Sequence, residues 1–334
     1  VSHQVFPSAR LPTALPGLSD FAVDIHPPDL ARWRQRHGQE GGGEIEGVLS
    51  FHAAEPGLHV ALVALTHGNE IAGAIVLDRL LRQGLRPSCG RLTLIFANLA
   101  AFDRFDMAQP TASRFVDEDM NRVWSTAVLD GPRHSTELAR ARALRPLIDD
   151  VDMLLDLHSM LWPATPLMLS GLTRQGRALA SAIGQPGLVV ADAGHSSGRR
   201  LMDYRQFADP DAPQAANLLE AGQHWQLNTV AITEQATRAF LIATGCCPDL
   251  EKPVRPPQLI AEVTHTITAA TSSFAFVTSF EGGQRIPERN TLLALDGTAE
   301  IRTPYDDCLL VMPSLRPTRG HTAVRLARFE TTAV

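Results

Sequence analysis

The stretch VALVALTHGNEIAGAIVLDRLLRQG, residues 60–84, decides the fold. Val60 to Leu65 is an unbroken apolar run of strand length. Ile71 to Gln83 carries apolar residues at helical intervals and runs into Gly84, a residue suited to a helix C-terminus. Between them Thr66-His67-Gly68-Asn69-Glu70 forms the turn that leaves the strand's carboxyl end. Open α/β sheets bind their ligands at that edge. His67 on the turn and Glu70 in the first helical turn can therefore converge on one metal ion. A glutamate there also complements the helix dipole without any further role, so the pair needs a third residue to mean more.

His158 supplies it. It ends the apolar run Met153-Leu154-Leu155-Asp156-Leu157-His158, 88 positions after Glu70. Two His and one Glu, two close in sequence and the third on a distant strand end, are the three-ligand set of a catalytic zinc, which keeps a coordination position open. Asp156 precedes His158 by two residues on the same side of the strand. It either orients that ring from behind or is simply solvated at a strand end.

Outward from these two strands the pattern keeps alternating. Arg91–Asn98, Leu167–Ser170, Gly187–Ala191 and Ala215–Ala221 read as strands, and Ser135–Ile148, Gln175–Ile183 and Thr229–Ala243 as helices. Such alternation predicts an α/β fold, a mostly parallel sheet flanked by helices on both faces. Upstream, residues 1–20 form a Pro-rich arm, Phe21–Ile25 a weak strand, Asp29–Arg36 a short helix and Gly47–His52 a strand. Leu99–Trp124 is long and lacks periodicity, as functional loops often do. Asp192–Asp211 is another polar loop region.

The Pro-rich connection Glu251–Pro257 marks a boundary between an α/β domain over residues 1–250 and a smaller C-terminal β domain over 258–334. The latter consists of short β-branched or alternating runs at 262–268, 273–280, 291–295, 299–303, 308–312 and 322–329.

Composition narrows the function. The 334 residues are 44% hydrophobic and 20% charged, enough for a sizeable core and two domains. A net charge of −6 argues against nucleic acid or an acidic membrane surface as partner, so any anion site must rest on a local Arg cluster. The four cysteines show no CxxC or finger spacing, and a reduced, cytoplasmic protein is the expectation. No signal peptide is expected, because residues 1–17 contain no apolar h-region, and no membrane span, because no 18-residue apolar run occurs. A homo-oligomer is compatible with all of this.

Amide hydrolysis at such a metal also needs a base, a partner for the oxyanion and a substrate anchor. Glu220 and Glu234 compete for the first role. Glu220 ends an apolar strand and faces the sheet's carboxyl edge, whereas Glu234 falls on the solvated face of a helix, so Glu220 is preferred. In the long loop, Arg114 could polarise the scissile carbonyl, and Asn121 with Arg122 could hold a carboxylate. Without the metal set, those loop charges would read as merely solvated.

Together, His67-Gly68-Asn69-Glu70, Arg114, Asp119-Met120-Asn121-Arg122, Asp156-Leu157-His158 and Glu220-Ala221-Gly222 stand in one order. This ordered set resembles the succinylglutamate desuccinylase/aspartoacylase family of the zinc carboxypeptidase clan, from about Gly47 to Pro313. The resemblance implies a carboxypeptidase-like α/β domain, with a β domain narrowing access to small N-acyl amino acids. It further implies one zinc ion held by His67, Glu70 and His158. Glu220 would be the base, Arg114 the oxyanion partner, and Asn121 and Arg122 the substrate contacts.

Family members acting on acidic substrates place a Tyr and a further Arg shortly before the base. Here the spacing is longer, and Arg199, Arg200, Tyr204 and Arg205 are all candidates. The segment Ser159-Met160-Leu161-Trp162-Pro163 is also more apolar than a doubly acidic substrate suggests. The reading is zinc-dependent hydrolysis of a small N-acyl amino acid. Its rivals are a metallocarboxypeptidase acting on peptides and a non-catalytic small-molecule binder on the same scaffold.

Overall fold

Strand β2 (Glu55–Ala64) shows how the protein is layered. Val60, Leu62 and Ala64 pack into one apolar cluster, Ala61 and Val63 into another, and all five are buried. Side chains alternate across a strand, so a run apolar at every position must be covered on both faces. The computed structural model, which describes residues 21–34, 40–195 and 197–330, supplies both covers. The expected arm over 1–20 and the Gln35-Arg36 end of the expected first helix lie outside the described residues.

On one face lie α1 (Ile71–Arg82), α5 (Arg174–Ile183) and α6 (Leu227–Ala243), which contribute Ile71, Leu77, Ile183 and Phe240. On the other lies α4 (Thr136–Asp149), with Leu138, Ala141, Leu144 and Ile148 on its buried stripe. Two short helices, α2 (Leu99–Phe102) and α3 (Thr126–Leu129), sit in the loop before α4. Truncating a side chain such as Leu62 or Leu77 to Ala would cost about 2–5 kcal/mol in transfer and cavity terms.

The remaining strands are β1 (Val48–His52), β3 (Cys89–Phe96), β4 (Met153–Met160), β5 (Leu167–Leu169), β6 (Leu188–Ala191), β7 (Ala215–Gln223), β8 (Leu259–Thr268), β9 (Phe274–Phe276), β10 (Arg285–Ile286), β11 (Leu292–Asp296), β12 (Ala299–Arg302), β13 (Cys308–Val311) and β14 (Thr322–Phe329). The large sheet runs β1-β3-β2-β4-β7-β5-β6-β8-β14-β13-β10. Its centre, β3-β2-β4-β7, is parallel throughout, so the carboxyl ends of β2, β4 and β7 share one edge.

The expected elements from β1 to α6 all form. Three details differ. Phe21–Ile25 makes no strand; Phe21 instead packs edge-on against Trp162 and Trp225, with ring centroids 5.5 and 5.8 Å away. Residues Ala31–Arg34 make one 3-10 turn in place of a longer helix. The aperiodic loop holds α2 and a 3-10 turn at Met120–Arg122.

The segment after Pro257 does not stand apart from the sheet. β8 pairs in parallel with β6, and β14 pairs with β8, so the C-terminal strands extend the central sheet. Among the described residues, only β12, β11 and β9 form a separate, smaller antiparallel sheet. Ala261 of β8 is fully buried and joins the apolar layer there, with Val263 packed half-buried against it, and a Pro-rich connection does not prevent that pairing.

Candidate active site

β2 ends at a conformational break. Leu65 adopts a left-handed φ of 61°, which turns the chain sharply into Thr66-His67. Backbone strain of this kind, about 1–3 kcal/mol, is typical of functional sites. Gly68 is required by a close approach: a Cβ there would lie 2.4 Å from the Ala101 carbonyl carbon and 2.6 Å from the Ser113 oxygen. The Gly68 amide donates to the Arg114 carbonyl at 3.1 Å, joining the turn to the loop after β3. Glu70 is the N-cap of α1, one position earlier than expected, and its side chain does not cap the helix.

That leaves the Glu70 carboxylate for other partners. His67 Nδ1 lies 2.7 Å from its Oε1, and His158 Nδ1 lies 2.9 Å from its Oε2. The Ser159 amide also donates to Oε2 at 3.1 Å. His67, Glu70 and His158 each offer a ligand atom, and these atoms lie within 4.8 Å of one another, all buried.

Behind each ring stands a carboxylate. His67 Nε2 lies 3.0 Å from Asp119 Oδ1, and His158 Nε2 lies 2.8 Å from Asp156 Oδ2, though out of line for a good hydrogen bond. Thr66 Oγ1 donates to the other Asp156 oxygen at 2.9 Å. Carboxylates behind histidines fix the tautomer that turns the opposite nitrogen to a metal. The residues present thus fit a divalent ion, and Asp156 sits where it can orient His158.

The electrostatics agree. Burial opposes charge on Glu70, but His67 and His158 outweigh it and hold the carboxyl well below its ordinary range. Burial likewise opposes charge on His158, and Asp156 with Glu70 overcomes it, raising that ring well above its usual value.

Arg114 leans over this group, half-buried. Its Nη1 donates to Glu70 Oε1 at 3.2 Å, and its Nη2 lies 2.9 Å from His67 Nε2 and 3.2 Å from Asp119 Oδ2. Glu220 enters from β7, where it is the register partner of His158 on β4. Just beyond that pair the register shifts, and β7 carries one extra residue around Gly222, whose φ is 116°. Such bulges re-aim side chains beside active sites. Glu220 Oε2 is buried without a hydrogen-bond partner. Burial, reinforced by the charge of Glu70, pushes its carboxyl up to about 8.

His67, Glu70, Arg114, Asp119, His158, Ser159 and Glu220 line one cavity of about 710 Å³, and Thr66 and Asp156 stand behind it. Residues 56–239 match the model of the succinylglutamate desuccinylase/aspartoacylase catalytic domain.

The chain belongs to that family.

A curated relative, N-acyl-aromatic-L-amino acid amidohydrolase (carboxylate-forming) A from Danio rerio, is 34% identical over 109 residues. That match covers 30% of this chain and 32% of the relative, so the chain spans about a third of the length of the protein it matches. Two solved structures share the fold. Succinylglutamate desuccinylase from Vibrio parahaemolyticus has a TM-score of 0.65 at 18% identity, covering 86% of this chain and 87% of that one. The Vibrio cholerae enzyme of the same name has a TM-score of 0.65 at 20% identity, covering 85% and 86%.

Within this family member the other expected contacts divide. Asn121, Arg122 and Arg200 line the cavity. Asn121 Oδ1 is engaged by the Leu201 amide at 2.8 Å, which leaves its amide nitrogen for a ligand. Arg200 is buried between Asp192 and Asp203, at 2.9 and 2.7 Å. Arg199, Tyr204 and Arg205 are not in the cavity. Arg199 and Arg205 border a separate groove beside Trp124. Tyr204 is buried against Trp124 and donates to Asp149 at 2.8 Å. A 3-10 turn at Leu201–Asp203 faces Arg200 inward and the next residues away, a reversal the sequence does not announce.

Four cavity residues escaped the sequence reading of the site. Asp119 was visible in its cluster, but its contact with His67 was not. His224 follows Glu220 by four residues; its Nδ1 lies 2.6 Å from Ser159 Oγ, and burial lowers the ring to about 4. Arg325 comes from β14; its Nη2 lies 2.7 Å from His195 Nε2 and its Nε lies 3.4 Å from Asp192 Oδ2. Nothing local marks Arg325 or His195. Among the described residues, no helix is long and apolar enough to cross a membrane.

Proposed function

We propose that this protein is a zinc-dependent amidohydrolase that removes the acyl group from a small N-acyl amino acid. The observation carrying the reading is the buried convergence of His67, Glu70 and His158 beside a partnerless Glu220 in one cavity. A zinc ion held by those three residues would supply Lewis acidity to water and to the scissile carbonyl.

The chain's own groups do the rest. Glu220, in its ionised form, takes a proton from the attacking water and delivers it to the leaving amine. A C–O bond forms, the C–N bond breaks, and a carboxylate and a free amine leave. Arg114, fixed by Glu70 and Asp119, offers its N–H groups to the developing oxyanion. Asp119 and Asp156 keep the two imidazoles oriented.

The substrate on this reading carries one carboxylate and an apolar remainder. Arg114, Arg200 and Arg325 are already matched by carboxylates, at 3.2, 2.7 and 3.4 Å. Arg122 is less committed: its nearest carboxylate, Asp119, is 3.8 Å away. It is the natural anchor for the substrate's own carboxylate. The rest of the wall includes Met160, Leu161, Trp162, Leu169, Leu218 and Met312. The activity in the Danio rerio relative's name, on N-acyl aromatic amino acids, points the same way. Pro313, Ser314 and His321 of the C-terminal segment close one side, which suits a small molecule better than a peptide.

The test is metal content with a substrate panel. About one zinc per chain, and release of free amino acid from N-acetyl amino acids with apolar side chains, are expected. Zinc-loaded protein that cleaves no N-acyl amino acid refutes the reading and leaves a binding protein.

A further inference from the structure

The residue that clamps the loop between Arg114 and Asp119 lies outside the cavity, on α4. Glu137, in the first turn of that helix, is fully buried. Its Oε1 accepts from the Val116 amide at 2.6 Å and from Asn98 Nδ2 at 3.1 Å. Its Oε2 accepts from the amides of Asp117 and Glu118 at 3.0 and 3.2 Å. Three successive backbone N–H groups thus close on one carboxylate.

The grip is returned from the loop side. Asp117 Oδ2 accepts the Thr136 amide at 2.7 Å, and Ser135 Oγ donates to Glu118 Oε1 at 2.5 Å. Asn98 lies two residues beyond β3 and caps α2 through its Oδ1, so Glu137 ties the end of the strand, the loop and the helix together. The clamped residues, 116–118, lie directly between Arg114 and Asp119. The loop's other anchor is the hydrogen bond from Gly68 to the Arg114 carbonyl.

We infer that Glu137 is a positioning residue for the reaction proposed above: by holding Val116–Glu118 it fixes Arg114 and Asp119 against His67 and Glu70. A carboxylate is needed because four donors converge on it. An amide of the same shape accepts at one oxygen only, and its NH2 would face two N–H groups. The inference rests on the amidohydrolase reading for its kinetic consequence, but not for the clamp itself.

The experiment compares wild type, Glu137→Gln, Arg114→Ala and the double variant, with zinc content, thermal stability and amide hydrogen exchange measured on each. Glu137→Gln should keep its zinc, speed exchange at Val116–Glu118 while the core of α4 stays protected, and lower kcat about 10–100-fold, as supporting residues around metal sites do. In the Arg114→Ala background the same change should cost clearly less than in wild type, because one of the two groups it positions is already gone. Unchanged exchange at 116–118, or a double variant slower by the product of the two single losses, overturns the inference. If the wild type cleaves no N-acyl amino acid, that counts against the proposed function alone, and the exchange result still decides the clamp.

Discussion

His158 on β4 and Glu220 on β7 are register partners across adjacent parallel strands. Residues paired in this way present their side chains on the same face, so an imidazole of the His67–Glu70–His158 group and a carboxyl whose Oε2 is buried without a hydrogen-bond partner stand side by side at the sheet's carboxyl edge. The pair lies 62 residues apart in sequence and depends on no loop for its geometry. A site built on strands is held more firmly than one built on loops.

The first consequence concerns Glu220. Glu220→Gln keeps the shape and loses the base, so zinc content should match wild type while kcat falls about 10²–10⁴-fold. Near-normal turnover in that variant removes Glu220 from proton transfer.

His158→Ala acts on binding. It withdraws a donor and leaves Glu70 and Asp156 facing each other's charge without the ring between them. Elemental analysis should find the zinc lost. The metal-free variant should be less stable than metal-free wild type by about 3–5 kcal/mol, the usual cost of breaking a buried ion pair. Full zinc retention would mean that the metal, if bound, sits elsewhere.

Glu220 also makes stability depend on pH. Its folded value of about 8 lies above the unfolded value near 4.3. The folded form therefore holds the proton more tightly. The cost of burying this acid is absent below the unfolded value and grows as pH rises toward about 8. In chelator-treated protein, Glu220→Gln should melt above wild type by about a few degrees at pH 8 and by much less at pH 5. Equal differences at the two pH values would contradict the buried, partnerless carboxyl.

Substrate choice tests the cavity's walls. An N-acetyl amino acid with an apolar side chain should be favoured over N-acetylaspartate by about tenfold or more in kcat/KM, because a second carboxylate meets Arg groups already matched. Arg122→Ala should raise KM about 10–100-fold with a smaller change in kcat, the loss of one charged anchor. A preference for the diacid would shift the anchoring role to Arg200 or Arg325.

The amino-acid sequence by itself determined the layered α/β core, because VALVAL and the helix after it admit few other arrangements. An apolar run of strand length must be covered on both faces, and local periodicity decides helix from strand. It also marked His67, Glu70, His158 and Glu220, since each lies at or just beyond a strand's carboxyl end. Tertiary structure alone decided the rest. Only folding brings Asp119 to His67 and Glu137 to three loop amides, across 52 and about 20 residues of sequence. The reversal around Leu201–Asp203 faces Arg200 into the cavity and Tyr204 out of it. Arg325 arrives from the far end of the chain because β14 adds to the sheet through β8. Local sequence carries periodicity and turn chemistry, but which distant polar groups meet is settled by strand order and register, and those are fixed only when the whole sheet assembles.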